Sequence, residues 1–207
     1  MKKFFACFIL LSFTTGCALA PMTTTKNGRT VGKGKWEIDG NVLPAVGLSV
    51  SRGLTDNFDA GILIERNFGM VYSAWGKYSF INQAQGWSLA AYGGAFYGSG
   101  FGNSDGFFLG PVTSYRKNWF EVYLSARYSY VTWRAGSLTT DEQDDSIFDF
   151  VSWNDITFNY VQADLGFNFW TSDTFAINVH GKSMISMDKD VTFTTSVIPG
   201  FALIGVL

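Results

Sequence analysis

His180 is the single histidine of the chain. It lies on a segment, Phe175 to Ile185, in which Asn178, His180, Lys182 and Met184 share one face and Phe175, Ile177, Val179 and Ile185 the other. An imidazole placed there could act as a general base, with Asp164 on the preceding segment as its orienter. A nucleophile is harder to supply, because the nearby Ser183 has the opposite parity and alternation sends it to the other face. The same parity gathers Lys35, Glu37, Asp39, Asp59, Glu65, Lys77, Glu121, Arg127, Asp164, His180 and Lys182 on one side of their segments. Mixed charges collected in this way suit an interior plug, since buried charges need partners. With an unfilled path along them, they would instead line a narrow polar pore. We expect the plug, with no catalytic set, no metal site and no cofactor.

The elements that would carry these groups are strands. In Trp119 to Trp133, Phe120, Val122, Leu124, Ala126, Tyr128 and Tyr130 alternate with Glu121, Ser125, Arg127 and Ser129, a period of two with one apolar face. Its length suits a tilted strand crossing a bilayer, and aromatic residues stand at both ends. The same alternation recurs in Gly34 to Leu43, Ala45 to Leu54, Phe58 to Glu65, Met70 to Phe80, Trp87 to Tyr97, Asp155 to Trp170 and Phe175 to Ile185. Phe107 to Tyr115 is less regular, interrupted by Gly110 and Pro111, and a last strand follows Asp188-Lys189-Asp190 and runs to Leu207. Short turns sit at Pro44, Thr55-Asp56-Asn57, Asn67-Phe68-Gly69, Asn82 to Gly86, Arg116-Lys117-Asn118 and Thr171 to Thr174. Ser99 to Asp105 and the acidic stretch Arg134 to Asn154 are longer loops.

These segments predict an all-β, antiparallel, up-and-down transmembrane barrel of ten strands, with eight as the alternative count if the sixth or the tenth is misassigned. An even count leaves both chain termini in the periplasm, where turns are short, with the longer loops outside. Trp36, Phe58, Tyr78, Trp87, Tyr115, Trp119, Trp170 and Phe175 fall near the ends assigned to that side, as an interfacial girdle requires. A soluble lipocalin-like barrel, with its apolar faces turned inward around a ligand, satisfies the same alternation.

Composition agrees with a membrane address. Charged residues make up 15% of the 207 residues, well below the roughly 25% of soluble domains, while aromatics reach 17%. The net charge of −2, with no basic stripe, gives no sign of a nucleic-acid partner. Both cysteines, Cys7 and Cys17, precede the strands, so a disulfide framework in the barrel is excluded. Gly98-Ser99-Gly100-Phe101-Gly102 lies between antiparallel strands without a following helix and lacks the geometry of a phosphate loop. The carboxylates from Asp141 to Asp145 lack the spacing of a calcium loop and suit a solvated tip.

Lys2 and Lys3, followed by the apolar Phe4 to Phe13, form an export signal over residues 1–16. Thr14-Thr15-Gly16-Cys17 resembles the lipobox of bacterial lipoproteins, with Thr14 where Leu, Val or Ile is usual. Acylation of Cys17 is therefore expected, with cleavage by ordinary signal peptidase after Ala18-Leu19-Ala20, which Pro21 would hinder, as the alternative. Residues 17–33, polar and without periodicity, are expected to be a tether, and residues 34–207 the barrel.

The chain from Gly34 to Leu207 resembles the small bacterial outer-membrane barrels, of the size of the OmpA-type transmembrane domain or the ten-stranded omptins. It departs from them at the C-terminus, where such barrels end in Phe or Trp and this chain ends Val206-Leu207. The resemblance implies an outer-membrane protein with its N-terminus on the periplasmic side. Its implied partners are outer-membrane lipid, lipopolysaccharide and the barrel-assembly machinery, with residues 134–154 offered to an extracellular partner. Barrels of this kind include lipid A deacylases and palmitoyltransferases, phospholipases and omptin proteases. His180-Gly181-Lys182-Ser183 lacks the His-x-Ser spacing of the deacylases, and the omptin Asp pairs have no clear match here.

Overall fold

The computed structural model describes residues 20–66, 69–100, 102–134, 155–189 and 197–207. The expected export signal, Cys17 and most of the stretch 134–154 expected as a loop lie outside the described residues. Ten strands follow one another: β1 Trp36–Leu43, β2 Val46–Gly53, β3 Phe58–Arg66, β4 Met70–Asn82, β5 Gly86–Ser99, β6 Asn103–Lys117, β7 Phe120–Arg134, β8 Ile156–Trp170, β9 Phe175–Ser186 and β10 Ile198–Val206. Each pairs antiparallel with its neighbours in sequence, and β1 closes on β10 through Glu37 opposite Val206 to Leu43 opposite Phe201. Closure leaves no unpaired edge.

Two ends are distinguishable. The turns β2–β3, β4–β5, β6–β7 and β8–β9, with the start of β1 and the end of β10, occupy one end, called here the turn end. The connections β1–β2, β3–β4, β5–β6, β7–β8 and β9–β10 occupy the other, the loop end. β5 to β8 run to 14 or 15 residues, against the roughly 9–11 a bilayer requires, so the wall is taller on that side.

Parity sorts the side chains. In β7 every odd residue from Glu121 to Trp133 is buried. Outside, Leu48, Ile62, Leu109, Leu124, Leu165, Val179 and Ile185 stand exposed around the barrel. Outward aromatics mark both rims. At the turn end Trp87 packs on Tyr115 with ring centroids 5.2 Å apart, and Trp119 stacks on Phe169 at 6.1 Å. At the loop end Phe107 stacks on Tyr130 at 5.3 Å. The apolar faces thus point outward and the polar faces inward, opposite to a lipocalin-like arrangement.

Two local expectations are corrected. Ser99 to Asp105 is mostly ladder, since Ser99 pairs with Asn103 and Gly98 with Ser104; continued pairing outweighs the loop-like composition. Trp170 points inward rather than into the outer girdle. Its indole N–H donates to Glu121 Oε2 at 3.0 Å, and the Arg116 guanidinium lies 4.1 Å from its ring centre, so its polar edge finds a partner inside. The interruption at Gly110 and Pro111 does not break β6, and its register with β7 is the same at Leu109–Tyr128 before it and at Val112–Ser125 after it.

Inward aromatic rings lie over glycines of the facing strand. A Cβ on Gly166 would sit 2.5 Å from the Tyr123 ring, and one on Gly61 2.7 Å from Trp75. Glycine there lets the large ring lie flat against the wall instead of projecting across the lumen. Gly166→Leu is expected to displace Tyr123 and lower stability by about 1–3 kcal/mol, read as a lower urea midpoint by tryptophan fluorescence of the refolded barrel.

Candidate functional site

The lumen wall carries Asp39, Asp59, Glu65, Glu121, Asp164, Lys77, Arg127, His180 and Lys182, all buried, with Glu37 half-buried beside them. Every residue placed in the interior network by sequence is there except Lys35, which is exposed at the turn end. Counted on the wall, six carboxylates face Lys77, Arg127, Lys182 and, at the turn end, Arg116 over the inward Trp170 ring, an excess of two negative charges. An uncompensated excess of that size is costly in a water-poor interior.

The compensation comes from residues 20–31. Instead of hanging as a solvated tether, this segment lies inside the barrel, with Ala20 to Thr24 and Lys26 to Arg29 buried. Its two cations meet wall carboxylates directly, Lys26 with Asp39 and Arg29 with Glu121. Its main chain is held throughout. Glu65 accepts the N–H groups of Met22 and Thr23, each at 2.8 Å. The Met22 carbonyl accepts from Lys182 at 2.7 Å and Gln162 at 2.9 Å. Arg127 donates to the carbonyls of Pro21 and Thr23, the latter at 3.0 Å. Asn168 donates to the Lys26 carbonyl at 2.9 Å, Ser79 to that of Gly28 at 2.8 Å, and Val31 N–H reaches both oxygens of Asp59 at 3.2 Å.

Direction follows from these partners. On β3 alone, Met22 and Thr23 bond Glu65 next to the loop end, and Val31 bonds Asp59 next to the turn end. On β8, which descends from loop end to turn end, Met22 meets Gln162, Thr24 meets Asp164 at 2.9 Å and Lys26 meets Asn168. The segment therefore runs down the lumen from loop end to turn end. Lys33 then bridges Gly53 in parallel, and the chain reverses through Gly32 and Gly34, at φ +100° and +80°, values that favour glycine. Nine residue steps from Met22 to Val31 reach at most about 30 Å, enough to traverse an apolar band of ~25 Å. Gly28 is the close-approach point, where a Cβ would come within 3.0 Å of the Ser88 carbonyl.

The remaining wall charges pair among themselves or with the segment. Lys77 Nζ lies 3.2 Å from Asp59 and 3.1 Å from Asn27 Oδ1. Lys182 lies 3.7 Å from Asp164, which also accepts from Gln162 and Ser125. His180 is not oriented by Asp164. Its Nδ1 is 2.5 Å from Asn178 Oδ1, and its other edge abuts Gly200, where a Cβ would overlap the ring. Ser183 stays on the opposite parity, away from the lumen face that carries His180. A cavity of about 30 Å³ lies between Thr23 to Thr25 and Glu37, Asp39, Ser49 and Tyr92, room for roughly one or two waters.

Sequence reasoning missed the segment's position, though a signal was present. The inward parity list is short of cations, and Lys26 and Arg29 are buried cations in the run that precedes β1.

No family model matches the chain, and no curated protein matches it. Among solved structures, the N-terminal β-barrel domain of Pseudomonas aeruginosa OprF is similar at 13% identity and a TM-score of 0.37, over 85% of this chain and 99% of that one.

Proposed function

We propose that the chain is a bacterial outer-membrane β-barrel closed by its own N-terminal segment, with a structural and surface-interaction role. The observation that carries this is the exposed apolar belt, rimmed by aromatics, around a charged and filled interior. Water would not stabilise so large a continuous apolar surface, whereas a bilayer matches it. The short turns then face the periplasm and the loop end faces outward, so that residues 134–154 are offered to an extracellular partner. Outer-membrane lipid and lipopolysaccharide surround the belt, and the assembly machinery inserts it.

In this orientation β1 starts in the periplasm, while Ala20 lies toward the outer end of the lumen.

A detergent gel of the outer-membrane fraction with and without boiling tests the barrel. A mobility shift on boiling is expected, and a mobility unchanged by boiling would contradict the reading. Purified full-length protein is expected to insert into planar bilayers without steady conductance, because the segment fills the path; stable steps from the unmodified chain would favour an open pore instead. We assign no catalysis to His180, which is held by Asn178 and Gly200. His180→Ala is expected to leave the lipid A and phospholipid profile of the membrane unchanged.

A further inference from the structure

Residues 20–31 are held much as a bound peptide is held. Most of their contacts go to main-chain atoms: Glu65 and Asp59 take N–H groups, while Arg127, Gln162, Lys182 and Asn168 take carbonyls. Side-chain recognition is confined chiefly to two cations three residues apart, Lys26 at Asp39 and Arg29 at Glu121. The link to the barrel is a short exposed reversal at Lys33 and Gly34. Such a site is defined by wall chemistry and does not require a covalent connection to its occupant.

We propose that the lumen wall is a binding site for an extended dibasic peptide, filled in cis by residues 20–31, and that the vacated wall conducts cations. The proposal rests on the membrane-barrel reading above. Once the segment leaves, Lys26 and Arg29 go with it. The wall then keeps Glu37, Asp39, Asp59, Glu65, Glu121 and Asp164 against Lys77, Arg116, Arg127 and Lys182. A narrow path with excess negative charge and low-dielectric walls concentrates cations and repels anions. The space freed is that of twelve residues, reaching from the level of Glu65 and Gln162 to the turn end.

The test uses the full chain, refolded with a site-specific protease sequence inserted between Lys33 and Gly34. Folding is then complete before the segment is freed. The barrel is cut, washed in high salt and placed in a planar bilayer under a potassium chloride gradient. We expect silence before cutting, then steps whose reversal potential favours potassium. A synthetic peptide of residues 20–33 is expected to close them, and the same peptide with Lys26→Glu and Arg29→Glu to act at least about a thousandfold more weakly, since both buried ion pairs become like-charge pairs. Steps without cation preference, or equal block by both peptides, would overturn the proposal. So would a cut and stripped barrel that still shifts on boiling but stays silent. A barrel that shows no shift on boiling and does not insert overturns the membrane reading itself, which keeps the two failures distinguishable.

Discussion

Glu121→Ala is expected to lower the stability of the folded barrel by about 3–5 kcal/mol, the cost of leaving a buried charge without its partner. Glu121 is fully buried and serves three donors, Arg29, Asn168 at 3.3 Å and the Trp170 indole at 3.0 Å. Its removal strands the Arg29 guanidinium, whose remaining partners include the carbonyls of Gln83 and Gly86. Arg29→Met placed on top should recover much of the loss, because replacing a buried pair by apolar groups is often close to neutral. A double-mutant cycle on urea midpoints measures this. Near-additive losses would mean that Arg29 and Glu121 do not meet inside the lumen.

Reversing both segment cations should have a still larger effect, on docking rather than on the barrel. In the Lys26→Glu, Arg29→Glu variant two attractive pairs become like-charge pairs opposite Asp39 and Glu121. At 2–5 kcal/mol for each lost pair, the docked state should fall in population by at least about a thousandfold. Proteinase K is expected to cut the variant rapidly between residues 20 and 31, while the wild-type segment survives as long as the strands. The barrel strands themselves should stay resistant in both, since their ladders are unchanged. Equal survival of the two segments would contradict a charge-held plug.

The strands were legible because each separates lipid-facing from lumen-facing residues, and that separation writes a period of two into the chain. Glu121, Arg127, Asp164 and Lys182 could be placed on one shared face from parity alone, and the membrane reading made that face the interior. Residues 20–31 carry no such mark for a physical reason. A chain running down the middle of a closed barrel meets wall on every side, so no face of it is polar or apolar as a whole. Its threonines and glycine resemble a linker because small polar residues fit a narrow lumen and bond its wall, as Thr24 does to Asp164. Trp170 was misplaced for a related reason: an aromatic at a strand end suits the interface, but the Glu121 carboxylate inside outweighs that preference.

Hydrogen exchange of the refolded barrel, read by mass spectrometry, bears most directly on the occupied lumen. The amides of Met22, Thr23 and Val31 donate to Glu65 and Asp59, so peptides covering residues 20–31 should exchange about as slowly as those from β7. Complete exchange of that segment at the earliest time point, with β7 still protected, would place it outside the barrel and contradict the account.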